Sequence, residues 1–199
     1  MRKVLLVAVA VLLCGMYAFA DDDYHKGELF AGYSYLHFGC GSGCTDNSVP
    51  VGFNIDGTYY FSKHLGLTGD FQYHRRGLDD IIGGLHASIF SIHGGPRFKA
   101  HSGKLEPFAH ALFGWSRLAV SDPTTELCGG GNTCSENSFS MKLGGGLDVA
   151  AARHIAVRVG EFNYYMTRFA ATSLGAGAIF PNSLTTQNNF TISAGIVIR

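Results

Sequence analysis

Long segments in which apolar and polar side chains alternate are the feature that most restricts how this chain can fold. In HLGLTGDFQYH, residues 64–74, Leu67 and Phe71 fall on one parity and Asp70 and Gln72 on the other. A period of two predicts an extended strand with one apolar and one polar face. Eight such segments, most of ten residues or more, are predicted as strands: 28–38, 51–61, 65–75, 87–98, 105–118, 138–150, 155–167 and 188–199.

The lengths of these segments and of their connections indicate a membrane protein. Soluble strands usually have about five or six residues, whereas tilted membrane strands need about 9–11. Short connections alternate along the chain with long ones, the short ones at 62–64, 99–104 and 151–154 and the long ones at 39–50, 76–86, 119–137 and 168–187. Outer-membrane barrels have short periplasmic turns and long external loops. We therefore expect an all-β fold, an eight-stranded antiparallel up-and-down transmembrane β-barrel, with both termini periplasmic.

The beginning of the chain has the organisation of a secretory signal peptide. Two basic residues precede an apolar run over 4–13, and Ala18-Phe19-Ala20 forms a small-x-small cleavage site. Leu13 stands where a small residue would precede a lipid-modified Cys14, which disfavours a lipoprotein. We expect a signal peptide at 1–20 and a single barrel domain at 21–199, located in the cell outer membrane.

Charge and hydropathy exclude further classes of protein. The leader contains two basic residues and no acidic one, so its removal leaves 13 of the 15 Lys and Arg against 15 Asp and Glu. A formal charge of −2 does not indicate a nucleic-acid partner. After residue 20 no apolar run reaches the length of about 18 residues that a membrane-spanning helix requires. Charged residues make up only 15% of the chain, against about 25% in ordinary soluble domains, which disfavours a water-facing sheet.

The polar face of the strands is expected to line the barrel interior, because eight strands leave just enough room inside for side chains. The apolar face, with Phe53, Trp115 and Ile196, would then contact lipid. The expected lumen charge network comprises Asp56, Asp70, Arg97, Lys99, Glu106, Lys142, Asp148 and Arg158. The alternative is a secreted soluble barrel or sandwich with the faces exchanged, which would leave the low charge and the many glycines of the polar face unexplained.

Counting across two short turns predicts ion pairs inside the barrel. In the turn around 100–103 the alternation allows two registers, one with Arg97 opposite Glu106 and the other with Lys99 opposite Glu106. Either register gives Glu106 a cation. Around 152–154 a three-residue turn sets Asp148 opposite Arg158. Directly opposed Cβ atoms lie about 5 Å apart. Pairing is expected because an unpaired buried charge costs several kcal/mol.

Two segments do not alternate cleanly. In 155–167 the polar parity changes between Arg158 and Glu161, which predicts a bulge near Gly160. Segment 28–38 is aromatic on both parities, so its faces are not assigned.

A family resemblance rests on five stretches: DGTYYFSKHLGLTGDF, GGPRF, LEPFAHALFGW, GGGLDVAAARHIAVRVGEFNYYMTRF and NNFTISAGIVIR. They resemble the outer-membrane protein A-like β-barrel proteins, small eight-stranded barrels of Gram-negative-type envelopes. The resemblance covers nearly all of the mature chain and implies outer-membrane lipid and the barrel assembly machinery as partners. We expect no periplasmic peptidoglycan-binding domain after Arg199. The chain ends in Ile198-Arg199, whereas barrels of this sort often end in an aromatic residue that the assembly machinery reads.

Four cysteines follow the leader, and all lie in predicted long loops: Cys40, Cys44, Cys128 and Cys134. Four cysteines allow three pairings, and an exported protein is located where disulfides persist. Because neighbours within one glycine-rich loop meet most easily, we expect Cys40–Cys44 and Cys128–Cys134. The alternative is a metal site that includes His37, but one histidine beside a C-x3-C motif is a weak signal.

Catalysis and transport are weaker hypotheses than a surface role. His86 and Ser88 share one face, as in a lipid-modifying hydrolase, but two such side chains occur on one face in almost any strand. A lumen packed with side chains disfavours a pore. We expect a monomer with no cofactor, no metal and no catalytic residues, whose role is structural or adhesive. An unidentified extracellular ligand would contact the four long loops, and the alternatives are a lipid-active enzyme and a narrow channel.

Overall fold

The computed structural model describes residues 25–37, 39, 48–77, 86–121, 132–169 and 186–199. Within these ranges no helix is long and apolar enough to cross a membrane. The expected signal peptide and the middle of each predicted long loop lie outside the described residues.

Eight long strands form a closed barrel. Each pairs antiparallel with the next along the chain, and the last pairs with the first. They are β1 (Gly27–His37), β2 (Val51–Tyr60), β3 (Leu65–Gly77), β4 (His86–Lys99), β5 (Leu105–Ser121), β6 (Thr133–Ala152), β7 (Ile155–Thr167) and β8 (Gln187–Ile198). A two-residue strand, Ser48–Val49, lies inside the predicted first long loop and pairs with the end of β1. The predicted eight-stranded antiparallel barrel is confirmed.

Several strands extend farther toward the long loops than the alternation predicts. The ladder between β5 and β6 continues to the pair Ser121–Thr133, so the predicted loop over 119–137 is wrong at both ends. Backbone hydrogen bonds continue a ladder even where the side chains no longer alternate between apolar and polar types. For the same reason β3 reaches Gly77 and β4 begins at His86, which shortens the loop between them.

The turn between β4 and β5 closes around Gly103, which has a φ of 63°. This left-handed conformation is readily adopted by glycine. The turn places Lys99 opposite Phe108, so both registers predicted for Glu106 are wrong. Alternation constrains only the parity of a register, and a shift by two residues preserves that parity.

A bulge interrupts β7. Asp148 of β6 pairs with Arg158, but the next pair along skips Val159 and involves Gly160. The extra residue changes the inward parity, so Arg158 and Glu161 are both buried inside the barrel. The predicted bulge and the predicted register at Asp148 are confirmed.

The polar face of the sheet lines the lumen. Thr68, Asp70 and Gln72 are at most 3% exposed, whereas Leu67 is 61% exposed. In β1, whose faces the sequence left open, the even positions such as Glu28 point inward. The alternative with exchanged faces is wrong, because large apolar side chains are exposed on the outside: Leu29, Tyr33, Phe53, Tyr59, Ile92, Phe98, Phe113, Trp115, Phe139, Phe162, Phe190, Ile196 and Ile198.

Candidate functional site

The polar lumen is the candidate site, because every strand turns alternate side chains into it. The barrel end that holds the three tight turns is called the short-turn end below, and the opposite end the long-loop end. Inward polar groups form two layers between these ends. The ionic layer, toward the short-turn end, consists of Glu28, Asp56, Arg97, Lys99, Glu106, Asp148, Arg158, Glu161 and Arg199. The hydrogen-bonded layer, toward the long-loop end, consists of Asp70, His93, Ser116, Ser140, Lys142 and Tyr165.

Arg158 is the centre of the ionic layer. Its Nε donates to Asp148 Oδ1 at 2.8 Å, and its Nη1 donates to Asp56 Oδ2 at 2.7 Å and to Glu161 Oε2 at 2.6 Å. Asp56 also accepts from Arg97 Nη1 at 2.8 Å. Charge-assisted hydrogen bonds of this kind are about twice as strong as neutral ones. The predicted contact between Asp148 and Arg158 is therefore present, together with two contacts that the sequence did not predict.

Aromatic rings enclose the same guanidinium group. Arg158 Cζ lies 4.1 Å from the ring centroid of Phe30 and 4.3 Å from that of Phe108. Arg97 Cζ lies 4.7 Å from the Phe108 centroid. A guanidinium over an aromatic face gains cation–π attraction, which is stronger when the group is desolvated. Arg158 is therefore held by both ion pairs and ring stacking.

Lys99 and Arg199 close the short-turn end of the ionic layer. Lys99 Nζ lies 2.6 Å from Glu28 Oε2, 2.8 Å from Asp148 Oδ2 and 3.4 Å from Glu106 Oε2. Arg199, the last residue of the chain, pairs with Glu106 and places its Nε 3.1 Å from Glu28 Oε1. Glu106 thus contacts Lys99, one of its two expected partners, although the registers behind that expectation were wrong.

A cavity of about 270 Å³ lies outside these pairs at the short-turn end. Glu28, Glu106 and Arg199 form its inner wall, and His101 and Lys63 lie at its rim. Burial lowers the pKa of His101 in the β4–β5 turn. Both carboxylates of the wall, Glu28 and Glu106, pair with cations of the ionic layer.

The hydrogen-bonded layer connects five strands, β3 to β7. Asp70 Oδ1 accepts from Lys142 Nζ at 2.9 Å and lies 3.2 Å from His93 Nδ1. His93 Nε2 lies 2.8 Å from Ser140 Oγ, which accepts from Ser116 Oγ at 2.6 Å. The chain continues to the Tyr165 hydroxyl, 2.6 Å from Ser116 Oγ.

The order Asp70, His93, Ser140 is that of a nucleophilic triad, in which the acid orients the histidine and the histidine activates the serine. Here Ser140 has no exposed surface and His93 is only 2% exposed. Ser140 Oγ also accepts a hydrogen bond from Ser116 Oγ. The arrangement therefore positions side chains in the packed lumen.

All eight residues of the expected charge network are buried on the inner face. Sequence reasoning left Glu28, Glu161 and Arg199 out of it. Glu28 and the inward Ser34 both lie at even positions of β1, which could have predicted that Glu28 points inward. Aromatic residues at both even and odd positions of β1 obscured this pattern. Arg199 follows the last strand residue, where alternation gives no information.

The other residues that the sequence analysis proposed lie away from the lumen or outside the described residues. His86 and Ser88 lie half-buried at the long-loop end of β4. His37 is exposed at the end of β1. In the described ranges no group of three His, Cys, Asp or Glu side chains could hold a metal. Of the four cysteines only Cys134 falls within them, so the pairing of cysteines stays a prediction.

Comparison with known proteins identifies the family. The sequence model of the outer membrane protein beta-barrel domain matches residues 6–196. The structure of Neisserial surface protein A has a TM-score of 0.60 and 13% identity, and the alignment covers 87% of this chain and 97% of that one.

The attachment invasion locus protein Ail of Yersinia pestis, solved in complex with the heparin analogue sucrose octasulfate, has a TM-score of 0.53 and 18% identity. That alignment covers 87% of this chain and 99% of Ail. A search of curated proteins finds no match. At these identities the structures show a shared fold, while the family model spans nearly the whole chain. The chain is therefore a member of the outer membrane protein beta-barrel domain family, and its place is the outer membrane.

Proposed function

We propose that this barrel has a structural and adhesive role, in which a rigid wall holds the long loops against an extracellular partner. The long-loop end faces outward and both termini are periplasmic. The chain acts as a monomer in outer-membrane lipid, where the barrel assembly machinery inserts it. No catalytic step and no cofactor are part of this function.

The observation that carries the proposal is the set of ion pairs that cross the lumen. Arg158 of β7 contacts Asp56 of β2, and Lys99 of β4 contacts Glu28 of β1, in each case between walls three strands apart. The charged groups inside are thus engaged with one another and with aromatic rings. This favours a role at the loop surface over transport through the lumen.

Two further points support the proposal. Neisserial surface protein A and the attachment invasion locus protein, which have the same fold, are named for the cell surface and for attachment. In addition, local bonds Cys40–Cys44 and Cys128–Cys134 would tie two of the loops and limit the entropy lost when they meet a partner.

Adhesion of loop variants tests the proposal. Bacteria that express the chain would be incubated with a cultured epithelial monolayer, with barrel abundance followed in isolated outer membranes. Replacing residues 40–47, 78–85, 122–131 and 170–185 with short Gly-Ser turns should reduce adhesion to the level of the empty vector. The matched control replaces the short turn at 62–63 and should adhere like the unchanged protein. Full adhesion without the long loops would overturn the proposal, as would a steady ion current through the purified barrel in planar bilayers.

A further inference from the structure

The outer surface of the barrel is divided into an apolar band and a basic edge. From the short-turn end up to Tyr73, Phe90 and Trp115, no outward position of the described strands holds a charged side chain. Closely spaced aromatic rings on β2 to β5 form the boundary of this band toward the long-loop end. Phe71 lies 5.1 Å from Phe90, which lies 5.7 Å from Trp115, centroid to centroid. Aromatic girdles of this kind mark the membrane interface of outer-membrane barrels.

Arginines follow directly beyond the rings. Arg75 lies two positions after Tyr73 on the outer face of β3, and Arg117 two positions after Trp115 on the outer face of β5. Both are exposed, and so is Arg168 just after β7. The outward positions of the described strands include no Asp or Glu, so this edge of the wall has one sign of charge.

The geometry suits a ligand that lies along the wall. Arg75 and Arg117 flank β4 on either side, which separates their backbones laterally by about 10 Å. Arg117 is steadied by Ser135, whose Oγ accepts from Nη2 at 2.8 Å. Guanidinium groups match phosphate oxygens with two parallel hydrogen bonds. The rings below offer an apolar surface to the chains attached to such a phosphate.

We propose that the outer face of β3 to β5 at the long-loop end binds the phosphate groups of an anionic lipid in the outer leaflet. Arg75 and Arg117 contact the phosphates, and Tyr73, Phe90 and Trp115 pack against the acyl chains. Arg168 extends the basic edge to β7. The site is separate from the loop contacts of the proposed function, since neither arginine lies in the segments altered in the adhesion experiment.

Lipid binding to the purified barrel tests this site. The folded protein in neutral detergent would be titrated with diphosphorylated lipid A, with fully dephosphorylated lipid A and with inorganic phosphate, and bound lipid counted by native mass spectrometry. We expect saturable binding of the diphosphorylated lipid, weaker binding of the dephosphorylated lipid and no competition by inorganic phosphate. Equal affinity for both lipids would overturn the proposal, and displacement by inorganic phosphate would assign the site to the free anion instead.

Variants locate the site. Arg75→Gln and Arg117→Gln should each weaken binding about fivefold, the effect of about 1 kcal/mol per basic residue at an anionic lipid surface. Arg153→Gln, an exposed arginine in the turn at the opposite end, is the matched control and should bind as the unchanged protein does. If the Gln variants fold poorly, Arg75→Lys and Arg117→Lys keep the charge and should bind more weakly than arginine but in a phosphate-dependent manner. Unchanged affinity in the Gln or the Lys pair would contradict the assignment.

Discussion

At the residue scale, Arg158 pairs with three buried carboxylates of the lumen. Replacing it in Arg158→Met keeps the aliphatic volume but leaves Asp56, Asp148 and Glu161 without their shared cation. Breaking a buried pair in this way costs about 3–5 kcal/mol. We expect a lower urea midpoint for the barrel refolded in lipid vesicles, followed by the fluorescence of Trp115, the one tryptophan of the chain.

The control for that experiment is Arg153→Met in the exposed β6–β7 turn. A surface substitution should change the stability by no more than about 0.5 kcal/mol. Overlapping unfolding curves for the two variants would mean that the ionic layer adds nothing to stability.

At the element scale, the bulge in β7 accommodates one extra residue between the inward Arg158 and Glu161. Deleting Gly160 removes the extra residue and leaves Arg158, Val159 and Glu161 in regular alternation, so Glu161 and the residues after it should keep their faces. We therefore expect the deletion variant to insert with an unbulged β7. The assay is retention of the fast-migrating band on unheated gels.

Gly160→Ala is the matched control, because an added Cβ would meet only the Phe162 ring at 3.5 Å, an ordinary contact. It keeps the number of residues and should insert normally. Failure of the deletion variant to insert, beside normal insertion of Gly160→Ala, would contradict this expectation and show that the barrel needs the bulge itself.

The β4–β5 turn supplies a second prediction at this scale. Gly103→Val places a β-branched residue at a φ of 63°, and the left-handed region costs an L residue roughly 1–2 kcal/mol. The urea midpoint should fall accordingly. Gly103→Asn should lose less, since asparagine visits this region more readily, and equal midpoints for both variants would argue against strain at this turn.

At the scale of the whole molecule, the closed barrel should stay folded whether or not the loop disulfides are formed. Mass spectrometry of the unreduced protein from native envelopes should find peptides that join Cys40 to Cys44 and Cys128 to Cys134. Reduction should leave the barrel heat-modifiable, because each bond closes only a short loop and constrains little of the unfolded chain. A bond between the two loops, or a barrel that opens on reduction, would contradict this expectation.

Much of this molecule follows from side-chain alternation alone. The period of two indicated eight strands, the inward face of Asp70 and the outward face of Leu67, and it also revealed the bulge near Gly160. The contact of Asp148 with Arg158 followed as well, because a short turn relates residues that are close in sequence. These features depend on residues that are close in sequence, so the sequence alone determines them.

The cross-lumen contacts were decided by tertiary structure. Arg158 and Asp56 lie 102 residues apart, and Lys99 and Glu28 lie 71 apart. Which inward residues meet across the lumen depends on the stagger of the strands as the barrel closes. Alternation does not encode that stagger, since a shift of two residues keeps every side chain on its face. The same freedom gave the turn at Gly103 a register that differs from both predicted ones. Glu106 still contacts Lys99, because it lies on the inner face two positions from Phe108, the direct partner of Lys99.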